Sequence, residues 1–268
     1  MKKCRFFLLH PECNQGKLDA LEALHVEYVD YVRVCINLMF ASRRLSLPRS
    51  AKQDFFPPAD KLSSQIEKNA RDHAIQIVST WAKGLYARKL KQHIQMAYRS
   101  RDIGDDLKKQ LCTIGKHLIC EPWKFVTQEA IDLYWAWLMD GGLVGRLPAV
   151  SDRLPMRMSE NTCTLEDPQE AIHADLWLKI STLQWRKVIW LPLVGNPYVK
   201  HAPDVSKGIH ARKDRRGRWR FETVDQREWT VPEAILGAPR KGLSLGTAMG
   251  LGRVGGRGKA VSYTVICF

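Results

Sequence analysis

Two stretches of the sequence concentrate positively charged side chains, the residue type that pairs with phosphate. The first stretch contains six Lys or Arg residues and no acid, and the second contains seven Lys or Arg residues and one acid. Because an exposed helix face usually carries charges of both signs, a stretch of one sign favours phosphate contact over a merely solvated surface. The candidate nucleic-acid-binding residues are Lys83, Arg88, Lys89, Lys91, Arg99 and Arg101 in the first stretch, and Lys207, Arg212, Lys213, Arg215, Arg216, Arg218 and Arg220 in the second.

The composition of the whole chain supports the same class of partner. The 268 residues include 42 Lys and Arg against 28 Asp and Glu, which gives a formal net charge of +14. Such a surplus produces a strong positive field, and a nucleic-acid backbone is the commonest partner for it, with an anionic membrane surface as the alternative. The hydrophobic share of 45% is that of a globular protein. No apolar run reaches the ~18 residues of a membrane-spanning helix, so no membrane span is expected.

Motifs for catalysis are missing from the sequence. It contains no phosphate-binding Gly-rich loop ending in Gly-Lys-Ser/Thr, no Gly-x-Ser-x-Gly and no His-Glu-x-x-His. The seven cysteines include no Cys-x-x-Cys pair, which indicates reduced thiols in a cytoplasmic protein. We therefore expect a binding protein with no catalytic residue, metal ligand or cofactor in this chain. The alternative is an enzyme whose site is built around His73 or Cys112.

The hydrophobic pattern of the first half predicts one strand followed by helices. Apolar residues recur there at spacings of three and four, the period of an α-helix. Ser64 and Glu67 have the spacing of a capping box, which predicts a helix N-terminus. The predicted elements are a strand in residues 1–12, long helices from Lys17 to Arg44 and from Ser64 into the nineties, and shorter helices around Leu107–Leu118 and Ile131–Leu138.

After about residue 145 the pattern changes to that of β-strands. Apolar and polar residues alternate from Leu176 to Ser181, and a second strand is predicted over Val188–Leu193. Pro192 indicates that this strand is an edge strand or ends there. A hairpin is predicted from His210–Arg212 and Arg218–Val224, and it carries the second basic stretch.

Aromatic and glycine-rich segments add two further hypotheses. An aromatic cluster at helical spacing is typical of a core, and the alternative is a platform on which bases stack. The segment 237–268 is rich in glycine and arginine, as RNA-binding tails are, and a disordered tail or a shifted reading frame are the alternatives. The aromatic residues of the cluster are Trp123, Tyr134, Trp135 and Trp137.

The order of these elements resembles the N-terminal half of TnpB-type proteins, the OrfB class of insertion-sequence proteins related to type V CRISPR nucleases. The similarity extends over roughly residues 1–232 and rests on the order of four pieces more than on any one of them. The matching pieces are Lys2–Pro11, Lys17–Met39, Leu62–Lys91 with Trp81 and Arg88-Lys89, and the strands Ile189–Leu193 and Gly217-Arg218-Trp219.

The resemblance implies an α+β fold, namely a wedge-like antiparallel β-barrel with an inserted helical recognition lobe. The barrel would comprise residues 1–12 and 145–236, the lobe residues 13–144, and segment 237–268 a remnant or frame-shifted start of the nuclease domain. In the family, lobe and barrel hold a guide-type RNA and its heteroduplex with DNA, and base pairing reads the sequence. The implied partners are therefore RNA and DNA, with no membrane and no small-molecule substrate.

The sequence departs from the family where the nuclease domain begins. Gly242–Gly246 is the nearest match to the family motif Gly-Ile-Asp-x-Gly, and it places Ser244 at the position of the metal-binding aspartate. A hydroxyl lacks the charge and the bridging oxygens that two Mg²⁺ ions require. No acid follows Glu233. We therefore expect a truncated, catalytically inactive transposase relative, although the family uses Mg²⁺. The alternative is a standalone nuclease-dead regulator guided to DNA by RNA.

Overall fold

The protein has an α+β architecture in which every described helix lies between the first strand and the second. This confirms the predicted fold class. The computed structural model describes residues 3–47, 52–100, 103–139, 147–167, 174–184, 186–195 and 208–225. The elements are β1 (Lys3–Leu9), α1 (Gln15–Ala41), α2 (Lys52–Phe55), α3 (Ser64–Leu85), a π-helical turn (Tyr86–Leu90), α4 (Lys91–Ser100), α5 (Asp105–His117), α6 (Gln128–Met139), β2 (Met156–Met158), β3 (Cys163–Glu166), β4 (Leu176–Ser181), β5 (Val188–Val194), β6 (Ile209–Lys213) and β7 (Trp219–Asp225).

The seven strands form one antiparallel sheet in the order β2-β6-β7-β1-β5-β4-β3. No described pairing joins the edge strands β2 and β3, so the sheet is open and the predicted barrel is wrong. The sheet is nevertheless strongly curved, because only the turn Ser159–Thr162 connects these two edges. A flat sheet would hold its edges about 29 Å apart. The link from Met158 to Cys163 spans at most about 19 Å.

The strands of the second half agree with the period-two pattern, with one correction. β4 alternates buried and half-buried residues, and the predicted hairpin is present as β6 paired with β7. β5 is not an edge strand, because it pairs with both β1 and β4. Pro192 is tolerated there because its backbone faces His10, which lies beyond the end of β1, so no ladder bond requires an N–H from the proline. Its carbonyl accepts the N–H of His10 at 2.9 Å.

Helix α1 forms the centre of the core. One side of the helix is buried, with Leu24 and Tyr28 completely inaccessible, because it contacts α3 as well as β2 and β5. The opposite side, which includes Val26 and Val34, is exposed. The helix begins after Asn14, whose side-chain oxygen accepts the N–H of Gly16 at 2.8 Å. Among the described helices, none is long and apolar enough to cross a membrane.

The second long helix begins as predicted but differs in two details. Its N-cap is Ser63, which makes no side-chain cap, so the predicted capping box at Ser64 is wrong. Glu67 instead pairs with Arg71 at 3.2 Å, one turn along the helix. At Tyr86–Leu90 the helix widens into a π-helical turn before continuing as α4. Periodicity alone does not reveal a single π-helical turn, since it inserts only one extra residue.

Candidate nucleic-acid interface

The first candidate surface is the helical basic stretch, by which we mean the described cations between Lys83 and Arg99. These residues lie on the C-terminal end of α3, the π-helical turn and α4, which follow one another without a break. At the α-helical rise, the two ends of the stretch are about 24 Å apart along the axis. All five described cations are exposed, namely Lys83, Arg88, Lys89, Lys91 and Arg99.

No described carboxylate neutralises this stretch. None of its five cations lies within salt-bridge distance of an Asp or Glu in the part of the chain that the structure describes. Arg88 makes a local contact instead, because its Nε donates to the carbonyl of Gly84 at 3.2 Å. A Cβ at Gly84 would lie 3.1 Å from a guanidinium nitrogen of Arg88, so the glycine leaves room for this side chain. The positive field of the stretch therefore faces the solvent.

Packing on the buried side fixes the position of the helical basic stretch. Leu90 and Ile94 are buried in the core. The ring of Tyr86 lies so close to Gly115 of α5 that a Cβ there would be 2.1 Å from it. The ring of His93 meets that of Trp137 edge-on at 5.9 Å. These contacts hold the π-helical turn, and the cations that it carries, against α5 and α6.

The second candidate surface is the β6–β7 hairpin, whose turn is organised by one carboxylate. Asp214 accepts the backbone N–H groups of Arg216 at 2.8 Å and Arg218 at 2.9 Å. These bonds, chiefly that from the N–H of Arg218, hold the pKa of Asp214 below its usual value. Gly217 closes the turn with a φ of +77°, a conformation that other residues rarely adopt.

Most cations of the hairpin already have an acidic partner. Glu222 pairs with both Arg212 at 2.7 Å and Arg220 at 2.9 Å, because the three side chains share the outer face of the sheet. Lys213 pairs with Glu22 of α1 at 2.6 Å, and Arg218 with Asp214 at 2.9 Å. Only two cations of the described hairpin are exposed without a described acidic partner, and they are Arg215 and Arg216.

The structure thus gathers the predicted residues into two separate groups. One group shares a helix and the other shares a hairpin, and no hydrogen bond or ion pair between described residues joins the two. The remaining two candidates, Arg101 and Lys207, lie outside the described residues, as do the Gly/Arg-rich segment and Ser244.

The aromatic cluster predicted from helical spacing is divided by the structure. Tyr134 and Trp135 are buried in the core, as the core interpretation requires. Trp123 is 62% exposed and stands beside Phe125, which is 66% exposed, with their ring centroids 6.4 Å apart. Only Trp123 of the four is therefore open to a partner, on a turn and not on a helix.

The outer face of the sheet carries aromatic rings with cations over them, and of these cations only Arg220 belongs to a charged run in the sequence. Arg220 lies over the ring of Phe6 at 4.1 Å, and Lys179 lies over the ring of Trp190 at 5.1 Å. Lys17 at the start of α1 lies over Trp177 at 5.3 Å. The signal was present in the alternation of β4, whose half-buried positions are Trp177 and Lys179.

The alternative of an enzyme centred on His73 or Cys112 gains no support from the geometry. His73 is buried and hydrogen-bonded to the Tyr28 hydroxyl at 3.1 Å. Burial lowers the pKa of His73 to about 3, helped by the nearby charge of Arg157, so it is neutral. Within the described residues, no His–Cys hydrogen bond occurs, and no group of three His, Cys, Asp or Glu residues could hold a metal ion.

Known families and curated proteins provide no guide to the function of this surface. No protein-family model matches the sequence, and no curated protein matches it. The similarity to TnpB-type proteins therefore stays a prediction from the sequence. Any function has to be inferred from the contacts and charges of the described residues.

Proposed function

We propose that the protein binds nucleic acid through the helical basic stretch. As in the TnpB-type proteins that the sequence resembles, its partners would be a guide-type RNA and DNA, and its origin would be a transposon. The observation that carries this proposal is that all five cations of the stretch are exposed and none has a described acidic partner. A duplex recognised by its backbone requires little more than such exposed, unpaired positive charges.

Binding without cleavage is the second part of the proposal. The sequence has no acid after Glu233, and the described residues contain no cluster that could hold a metal ion. We expect the purified protein to leave a guided DNA target intact in Mg²⁺. Specific cleavage of that target would contradict this part and leave the binding proposal standing.

The binding proposal is tested by the salt dependence of affinity. The probe is a fluorescein-labelled RNA–DNA heteroduplex of about 20 base pairs, the length held by guided nucleases. Anisotropy titrations between 50 and 200 mM NaCl give the slope of log K against log salt. In the test variant, Lys83, Arg88, Lys89, Lys91 and Arg99 are changed to Gln. Because each lost phosphate contact lowers the slope by up to about 0.9, we expect its magnitude to fall by about 4.

A matched control separates this surface from net charge. The control variant also removes five positive charges, but from residues that are paired with a described carboxylate. Circular dichroism checks that both variants are folded. We expect the control to change the slope by less than about 0.9, the value of one phosphate contact. Equal losses in the two variants, or an affinity without salt dependence in the unmodified protein, would overturn the proposal. The control residues are Arg33, Arg43, Arg44, Lys61 and Lys109, each changed to Gln.

A further inference from the structure

The outer face of strands β3, β4 and β5 forms a small grid of side chains with a common orientation. In its central row, Lys179 stands between Thr164 on one side and Trp190 on the other. Trp177, two residues before Lys179, shares this face, and it faces Pro192 on β5. Diagonal neighbours on one face of an antiparallel sheet are about 7–8 Å apart, so the two tryptophans lie close together.

Each tryptophan of the grid is half-buried and has a lysine over its ring. The Nζ of Lys179 is 5.1 Å from the ring centroid of Trp190, and that of Lys17 is 5.3 Å from Trp177. Neither lysine forms a salt bridge with a described acid. A long, flexible lysine can leave the ring to meet a phosphate, and the ring can then stack on a base.

A polar depression adjoins the tryptophans on the same face. Its volume is about 200 Å³, and Lys179 forms part of its wall. The hydroxyls of Thr164 and Ser181 line it, and neither has a hydrogen-bond partner among the described residues. The side chains of Asn161 and Glu160 complete the polar wall with further acceptors.

We propose that this face binds single-stranded RNA. Two bases stack on Trp177 and Trp190, since aromatic side chains on a sheet are a general means of holding unpaired bases. Lys17 and Lys179 meet the phosphates. The polar depression binds a ribose, and the 2′-hydroxyl of this ribose donates a hydrogen bond to an oxygen that lines the depression. The inference extends the proposed function to a second surface, one that contacts bases where the helical basic stretch contacts only phosphates.

Two acids limit where the phosphates lie. Glu166 faces Trp177 across the β3–β4 pair, and Glu160 lines the polar depression. Both carboxylates repel a phosphate and accept a hydrogen bond from a hydroxyl. The phosphates of the RNA therefore lie toward Lys17 and Lys179, while a ribose faces the acids. A deoxyribose offers no such donor, and the face is therefore expected to prefer RNA over DNA.

The test uses the variant with the helical basic stretch neutralised, so that phosphate contacts on that helix do not contribute. Fluorescein-labelled oligouridine and oligodeoxyuridine, both eight nucleotides long, are titrated by anisotropy. Changing Trp177 and Trp190 to Leu should weaken oligouridine binding by about 5- to 150-fold for each base lost. The salt slope should hardly change, because stacking releases no counterions. The comparison variant is Trp123→Leu, at the exposed tryptophan of the aromatic cluster described above, and it should weaken binding less than the sheet substitutions do.

A second variant tests the choice of sugar. We expect the unmodified face to favour oligouridine over oligodeoxyuridine by about two- to tenfold, the value of one hydrogen bond. Changing Thr164 to Val and Ser181 to Ala should reduce this preference, because two of the acceptors in the polar depression are lost. Equal binding of the two oligomers, or equal effects of the Trp177/Trp190 and Trp123 variants, would overturn the inference. Such an outcome leaves the proposed function untouched, because that function is tested separately, by the salt dependence of the unmodified protein and by comparing the helical variant with its control.

Discussion

The helical basic stretch and the β6–β7 hairpin are both rich in Lys and Arg, but the surroundings of these side chains in the folded protein differ. The hairpin has the denser run of Lys and Arg, but Glu222, Asp214 and the distant Glu22 neutralise most of it. The helical basic stretch is sparser, and no described acid neutralises any of its five exposed cations. A phosphate backbone meets a free charge in the helix, whereas it must compete with a carboxylate in the hairpin.

This difference shows that the number of cations in a segment is a poor measure of its field. What matters is the number of cations that keep no partner after folding, since ion pairs formed within the protein release no counterions when nucleic acid binds. By that measure the helix offers five charges and the described hairpin offers two, Arg215 and Arg216. The predictions below test this ranking, beginning with the largest expected effect.

The first prediction concerns the packing that holds the helical basic stretch in place. Gly115→Val puts a branched side chain where a single Cβ would already lie 2.1 Å from Tyr86. We expect the free energy of unfolding to fall by about 3 kcal/mol, the upper range for overpacking. Urea denaturation followed by circular dichroism measures it. Adding Tyr86→Ala removes the obstructing ring and should restore part of the loss. A double variant as unstable as the single one would contradict the packing argument.

The second prediction concerns His73, which is buried in the core and belongs to neither basic region. Burial lowers the pKa of His73 to about 3, below its ordinary value of 6.5. Below pH 6.5 His73 binds a proton in the unfolded chain but stays neutral in the folded protein. Its contribution to the free energy of unfolding is therefore fully present above pH 6.5 and decreases as the pH falls toward 3. The expected loss is about 1.4 kcal/mol for each pH unit.

The measurement is urea denaturation at several pH values between 4 and 7. Burial also lowers the pKa values of His25 and His210, so they add to the loss in the same direction. The variant His73→Gln should therefore be less stable at pH 7 and should show a smaller dependence on pH. If the unmodified protein were equally stable at pH 4.5 and 7, buried neutral histidines would be refuted.

The third prediction converts the hairpin into a region like the helix. Glu222→Gln removes the carboxylate that Arg212 and Arg220 share and leaves two half-buried guanidinium groups side by side. We expect a loss of about 1–2 kcal/mol in unfolding free energy, because the Gln amide still accepts a hydrogen bond but no longer offsets the charge of the two guanidinium groups. The two released cations should also raise the magnitude of the salt slope by up to about 2. Exposed Glu129→Gln is the control. A slope that does not rise would mean that the hairpin does not contact nucleic acid.

The elements that the sequence predicts correctly are those with a repeated local pattern. α1, α3 and the β6–β7 hairpin each show their period over several residues. β2 and β3 comprise only three and four residues, too few to display a period, so the sequence pattern does not predict them. Sheet closure was predicted wrongly because it depends on hydrogen bonds between distant edge strands, which no local pattern encodes.

The candidate site was predictable to the same extent. Charge runs identify the exposed cations of the helix, since no acid is near them in sequence. They do not reveal that Lys213 is neutralised by Glu22, which is 191 residues away. Nor do they reveal the grid of Trp177, Lys179 and Trp190, because strand register brings the last of these residues to the other two.

The last and smallest effect is that of single substitutions, one from each region. Lys91→Gln should lower the magnitude of the salt slope by about 1, because one phosphate contact is lost. Arg212→Gln should leave the slope unchanged, because Arg212 would have to leave Glu222 to reach a phosphate, and this exchange of partners releases no net counterion. Stability should stay within about 0.5 kcal/mol for exposed Lys91, as is usual at such positions. Anisotropy titrations of the heteroduplex measure both slopes. If Arg212→Gln lowered the slope as much as Lys91→Gln, a cation in an internal ion pair would still contribute to nucleic-acid binding. The hairpin, which has more cations, would then rank as the stronger binding surface.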